Sequence, residues 1–279
     1  MWHKGIERKS QRELAIMREA GRINALALAA AKAVIRPGVT TAEIDAAAEA
    51  VLLRHGARSA FRHYPGPYPY PAATNVCVNE ELVHAIPVKR RLQPGDIVTV
   101  DCGTLFERFY ADSAFTVGVG QISELAARLL RVTETALYVG MDAARPGRRT
   151  GDVAAAIQQY VEAHGFSVAR DYTGHGIGRH MHEDPQVPNF GAPDRGTVLQ
   201  PGMVIAIEPM VLAGAPDTVV LADEWTVASR DRSLTAHFEH TIAVTAGEPW
   251  VLTTLAGAEV RPVAALDRQN TGRLASSPV

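Results

Sequence analysis

Cysteine is scarce here, with only Cys77 and Cys102 among 279 residues. Two cysteines cannot build a disulfide framework, so a reducing compartment is expected. An excess of one charge sign is also missing. The 28 Lys+Arg against 30 Asp+Glu leave a formal net charge of -2. That balance gives no reason to expect broad binding to nucleic acid or to an anionic membrane. Long hydrophobic runs are absent as well. The most apolar stretch, Ala25 to Ile35, is interrupted by Lys32 and is far too short to span a bilayer. The opening Met1-Trp-His-Lys-Gly-Ile-Glu-Arg-Lys-Ser10 is charged and lacks the apolar centre of a signal peptide. These absences read together as a soluble cytoplasmic protein. No low-complexity linker divides the chain. At 47% hydrophobic and 21% charged it is an ordinary globular sequence, and its length suits one large domain or two fused halves.

What the sequence does contain is an internal repeat. Glu13 to Val34 has helical spacing and stops at Arg36-Pro37-Gly38. Thr41 is then expected to cap a second helix running to about Arg54, closed by His55-Gly56. The same design recurs 109 positions later: Arg145-Pro146-Gly147, Thr150, Ala155-Ala156 for Ala46-Ala47, Asp152-Val153 for Glu43-Ile44, and His164-Gly165. A register held across a whole helix implies duplication. It predicts an α+β fold of two similar halves, about 10–120 and 121–250, related by a pseudo-twofold with a site between them. A single domain is expected over 1–255. From about Ala256 the chain becomes Ala-, Arg- and Ser-rich without periodicity, and 256–279 is expected to be a loose tail.

Strand patterns cover Asp96 to Cys102 and Phe109 to Val119, with Gly103-Thr-Leu-Phe-Glu-Arg108 as a hairpin connection. A turn centred on Phe106-Glu107 would set Asp101 directly opposite Asp112. Like charges so placed repel, and a shared cation would remove the penalty. Met203 to Glu208 and Phe238 to Val244 look like further strands, each carrying one acid, Glu208 and Glu239. Carboxylates in apolar strands are costly to bury unless paired or bound to metal. In Thr173-Gly-His175-Gly-Ile-Gly-Arg179-His-Met-His182-Glu-Asp-Pro185, glycines let other groups approach the backbone around His175. One histidine with four carboxylates is a hard, oxygen-rich ligand set suited to divalent Mn, Fe or Co. Paired ions about 3.5–4 Å apart can activate a shared water and polarise a carbonyl, so metal-assisted hydrolysis is implied.

The order Asp, Asp, His, Glu, Glu resembles the pita-bread metallopeptidases, and within them the type I methionine aminopeptidases. The shared wording spans Gly174 to Arg179, His182 to Val187, Leu199 to Met203, Ile207 to Met210, Trp225 to Val227, Asp231 to Ala236 and Glu239 to Thr241. The resemblance implies a central antiparallel sheet with helices outside and two divalent metal ions (Co, Mn, Fe, Zn or Ni). Asp101 would chelate one ion, Asp112 and Glu239 would bridge both, and His175 with Glu208 would complete the other. Glu208 would also shuttle the proton, His182 would steady the tetrahedral intermediate, and His84 would sit near the substrate. Tyr70, Trp225 and Met181 would wall the methionine pocket. Asn75 stands there where the family usually has cysteine, and Ala85 where it has glycine. His180, His237 and His240 receive no role. The implied partners are N-termini of nascent polypeptides near the ribosome, met by a monomer. The rivals are a proline-specific exopeptidase and a catalytically dead pita-bread protein that binds peptides or ribosomes.

Overall fold

The computed structural model describes residues 2–255. The tail expected over 256–279 lies outside the described residues. Among the described residues four helices form, α1 (Gln11–Val34), α2 (Thr41–Arg54), α3 (Glu124–Ala143) and α4 (Thr150–Ala163). Helix α1 begins at a capping box in which Ser10 and Glu13 satisfy each other's backbone N–H. The repeat stops both first helices alike, with Gly38 at φ +87° and Gly147 at φ +83°. The cap of α2 is one residue earlier than expected. Thr40 Oγ1 accepts from Glu43 N at 3.2 Å, while Glu43 accepts from Thr40 N at 2.8 Å. Thr41 is the first helical residue, and its hydroxyl donates to Val88 O at 2.9 Å. Its counterpart Thr150 accepts from Thr197 N at 3.2 Å. The repeated threonines therefore tie each helix start to the segment leading into the sheet.

The main sheet is antiparallel, with spatial order Arg58–Ser59, Ile97–Phe106, Phe109–Gly118, Glu239–Ala243, Val204–Ile207, Gly174–Gly176, Glu183–Val187. Its pseudo-twofold axis passes between Phe109–Gly118 and Glu239–Ala243. Hydrogen bonds repeat across that axis. Gly95 N donates to Val119 O and Val119 N to Asp96 O; Gly202 N donates to Val244 O and Val244 N to Met203 O. The repeat thus continues through Leu92-Gln-Pro-Gly95 and Leu199-Gln-Pro-Gly202 into the strands. It makes Asp101 and Glu208 equivalent, each six residues beyond its glycine.

The hairpin register differs from the sequence expectation. Its turn is at Glu107 and Arg108, both at positive φ (45° and 68°), as a primed two-residue hairpin turn requires. Asp101 consequently pairs with Ala114 and Asp112 with Gly103. The slip is two residues, an even number, so both acids still share one face as diagonal neighbours. Alternation then sorts the strands. Val98, Val100 and Cys102 pack with Ile23, Ile44 and Leu52 of α1 and α2, leaving Thr99 and Asp101 on the opposite face. Ile205 and Ile207 pack with Leu129 of α3 and Ile157 of α4. Both cysteines are free and buried. Among the described residues no helix is long and apolar enough to cross a membrane.

The leading segment is held by a buried ion pair, Lys9 Nζ to Glu183 Oε2 at 2.6 Å, with side-chain exposures of 4% and 1%. Breaking such a pair strands a charge in a dry environment. Lys9→Met should lower unfolding stability by about 3–5 kcal/mol, read by denaturant titration. Adding Glu183→Gln should recover much of that loss; a single variant as stable as wild type would show the pair to be energetically idle.

Candidate metal centre and its pocket

The three glycines around His175 are demanded by close packing. A Cβ at Gly174 would strike Ala206 O, one at Gly176 Asp184 O, and one at Gly178 Lys9 Nζ. His175 therefore sits on a strand pressed between Val204–Ile207 and Glu183–Val187. Its Nδ1 lies 2.9 Å from Gly176 O, which only a protonated Nδ1 can satisfy. Nε2 is left with its lone pair, 3.6 Å from Glu208 Oε1. Burial pulls the His175 pKa down to about 4, so the ring is neutral.

Around it stand the four acids. Asp101 takes a 2.8 Å hydrogen bond from Asn75 Nδ2 on one oxygen, and burial pushes its pKa up to about 6. Asp112 is held well above the carboxylate range by burial, then by the charges of Glu239 and Asp101. Glu208 is raised by burial, then by Asp112 and Asp101, and Glu239 by burial, then by Glu208 and Asp101. One oxygen each of Asp101, Asp112 and Glu239 is buried without a hydrogen-bond partner. Ligand atoms of Asp112, His175 and Glu239 all lie within 4.8 Å of one another.

These five residues line a cavity of about 380 Å³ together with His84, His182, Tyr70, Asn75 and Trp225. Two aromatic groups flank the acids. In one, Trp225 lies edge-on to Tyr70 at 5.1 Å and to His84 at 6.4 Å, and Tyr172 edge-on to His84 at 5.8 Å. In the other, His182 lies 4.4 Å from the His175 ring and 5.4 Å from that of Tyr64.

Comparison with known proteins bears on this arrangement. Metallopeptidase family M24 matches residues 15–246. The chain is 50% identical over 237 residues to Methionine aminopeptidase 1 of Bacillus subtilis, covering 85% of this chain and 94% of that one. It is 46% identical over 247 residues to the methionine aminopeptidase of Clostridium perfringens, covering 88% and 98%. The chain belongs to metallopeptidase family M24. The crystal structure of methionine aminopeptidase from Thermotoga maritima superposes with a TM-score of 0.87 at 43% identity, covering 90% of this chain and 100% of that one. The fold is accordingly the pita-bread fold of M24.

The donor set fits the divalent metal that M24 membership implies. Three buried carboxylates and the partly buried Glu208 crowd together, and among the described residues none forms an ion pair with Lys or Arg. Their nearest basic partners, His175 and His237, are held neutral by burial. Anions so placed require protons or a cation.

Several side chains lie elsewhere than the sequence suggested. Met181 packs with Leu14, Met17 and Ile177 and lines a neighbouring cavity instead of this one. It stands in the bend between Gly174–Gly176 and Glu183–Val187, which turns it toward α1. Ala85 is buried outside the cavity lining, and its carbonyl accepts the Tyr70 hydroxyl at 2.9 Å. Asn75 does line the cavity, but its amide grips Asp101, so its polar group orients a carboxylate. Second-layer partners of this kind are worth about 10–100-fold in metal affinity. Asn75→Ala should weaken Mn²⁺ binding by that order in a calorimetric titration; unchanged affinity would show the contact to be incidental.

Other residues escaped the sequence reading. His237 is buried with both ring nitrogens unpartnered. Its Nε2 lies 3.8 Å from Glu239 Oε2 and 3.9 Å from Glu208 Oε2. It is the pseudo-twofold mate of Asp112: Thr241 Oγ1 brackets the Asp112 backbone as Thr116 Oγ1 brackets that of His237. Carrying the repeat through the strands would have found it. Tyr64, at the start of the proline-rich run Tyr64-Pro-Gly-Pro-Tyr-Pro-Tyr70, places its hydroxyl 2.7 Å from His182 Nδ1. Trp2 reaches the same ring, and nothing in its local sequence signals that.

Proposed function

We propose that this chain is a two-metal aminopeptidase that removes an N-terminal methionine when the second residue is small. The observation that carries this is the cluster of four uncompensated carboxylates and a neutral histidine lining an aromatic cavity. Asp101 would hold one ion, His175 and Glu208 the other, and Asp112 and Glu239 both. Divalent ions there supply Lewis acidity and a water of lowered pKa. Their native identity is one of Co, Mn, Fe, Zn or Ni.

The chain's own groups do the rest. Glu208, raised by burial and its neighbours, takes the water's proton and delivers it to the leaving amine. Burial, with help from His175 and His84, pulls the pKa of His182 down to about 2. Burial also raises Tyr64, which keeps its hydroxyl proton. With both groups neutral, the tautomer that serves the reaction is the one in which the Tyr64 O–H donates to Nδ1 and the ring proton of His182 resides on Nε2. That N–H is the donor for the oxygen that becomes anionic in the tetrahedral intermediate. His84, neutral with a pKa of about 4 through burial, stands between Trp225 and Tyr172 beside the first side chain. Tyr70 and Trp225 wall that side chain. Working as a monomer in the cytoplasm near the ribosome on emerging nascent chains fits a cavity that needs only a free N-terminus and a short peptide.

Hydrolysis of Met-Ala-Ser, Met-Lys-Ser and Ala-Pro-Ser by Mn²⁺-loaded enzyme tests the reading. Cleavage is expected for Met-Ala-Ser alone. Preference for Ala-Pro-Ser would indicate the proline-specific alternative, and no hydrolysis with any divalent metal would indicate a binding protein.

A further inference from the structure

The cavity wall includes a residue contributed from far outside the motifs. Trp2 lines it alongside His175 and His182. Its indole stacks on the His182 ring at 5.8 Å and 19° and meets His175 edge-on at 6.3 Å. Four hydrogen bonds and a ring stack fix it there. Trp2 Nε1 donates to Asp184 Oδ1 at 2.8 Å, and Gly5 N donates to Asp184 Oδ2 at 2.9 Å. His3 forms a parallel bridge to Glu183, with His3 N donating to His182 O at 2.9 Å and Asp184 N to His3 O at 3.1 Å. The His3 ring stacks on His180 at 4.1 Å and 10°. The segment Trp2–Gly5 is thus pinned across the end of the cavity, and the indole has little freedom to withdraw.

The two aromatic groups divide the cavity chemically. Tyr70, Trp225, His84 and Tyr172 surround one end; Trp2, Tyr64 and His182 form the other, with the acids between. A scissile bond at the acids puts the first side chain at the former end and the next residue at the latter. We infer that Trp2 is a specificity-determining residue, the wall that limits the size of the second substrate side chain. This rests on the aminopeptidase reading above. A branched or long second side chain must share its space with an indole already stacked on His182 and tethered to Asp184. A small side chain needs no such displacement.

The test is a ratio, so that changes common to all substrates cancel. For wild type, Trp2→Ala and Trp2→Phe, kcat/KM is measured on tripeptides whose second residue is Ala, Val or Leu. The first residue is the one wild type prefers in a panel of Met, Leu, Ala and Pro. The Leu/Ala and Val/Ala ratios are expected to rise tenfold or more in Trp2→Ala and less in Trp2→Phe. Asp184→Ala, which releases the tether while keeping the indole, is expected to shift both ratios in the same direction. Circular dichroism and the melting temperature confirm that each variant is folded. Unchanged ratios in folded Trp2→Ala would overturn the inference, as would a uniform rise or fall across all second residues. A wild-type preference for a first residue other than Met would sink the methionine reading while leaving the ratio test intact.

Discussion

Asp112→Ala and Glu239→Ala are expected to lose activity by about 10³-fold or more and to hold fewer than two ions per chain. Two arguments converge on these positions. Both acids sit on the strands that meet at the pseudo-twofold, and each retains an unpartnered buried oxygen. Removing either leaves the other acids repelling one another with fewer donors for a cation. On the two-metal reading, several kcal/mol of transition-state stabilisation rest on the metals, and each 1.36 kcal/mol is about tenfold in rate. The measurement is Mn²⁺ stoichiometry by calorimetry, together with hydrolysis of Met-Ala-Ser after chelation and reconstitution. Wild type should recover with Mn²⁺, Fe²⁺ or Co²⁺, and the variants should not. Full recovery by either variant removes the dinuclear reading.

The same acids give the metal-stripped protein an unusual pH signature. In the folded state Asp112, Glu208 and Glu239 are raised by burial and by one another, while the unfolded chain keeps ordinary values. Between the ordinary and raised pKa, the folded state binds more protons, so stability falls as pH rises. The slope is up to about 1.4 kcal/mol per pH unit for each group so affected. Stripped protein should melt higher at pH 6 than at pH 8, and Mn²⁺ should raise the melting temperature most at pH 8. A melting temperature independent of metal at both values would contradict the picture of uncompensated carboxylates.

His182→Ala should keep its metal yet lose on the order of 10²-fold or more in turnover, the usual cost of deleting one transition-state donor. Tyr64→Phe isolates the reason. It leaves the imidazole in place but removes the hydroxyl 2.7 Å from Nδ1, so the ring is free to place its proton on Nδ1. Turnover should fall by a smaller factor than in His182→Ala, with metal affinity unchanged. Glu208→Gln should fall further than His182→Ala, because a ligand and the proton carrier are impaired together. Metal titration separates the cases. A His182→Ala protein that lost its metal while keeping turnover per bound ion would make this histidine a ligand and no donor.

Much of this site was legible in the chain because its signals are local. Asp101 and Asp112 interrupt apolar strands, Glu208 and Glu239 stand at the ends of two more, and the glycines of Gly174-His175-Gly176 mark a backbone that other strands approach closely. The helix ends repeat because Pro-Gly stops and Thr starts act on nearest neighbours. What was misread was also local but ambiguous. Thr40 and Thr41 are both cap residues, and only the backbone conformation decides between them. The hairpin loop allowed two turns an even step apart, so its face was correct and its register was not.

The sequence by itself determined the candidate ligand types, their order and the duplication of the helix starts, since these depend on periodicity and residue chemistry alone. The hydrogen bonds across the sheet showed Asp101 and Glu208 to be equivalent. The tertiary structure decided which side chains meet. Tyr64 reaches His182 across 118 positions and Trp2 reaches Asp184 across 182, while Met181, one residue from His182, is turned into another cluster. Such contacts follow from sheet order and from how the Lys9–Glu183 pair anchors the leading segment. No local pattern encodes them, because the energy of each is realised only after the halves have closed on one another.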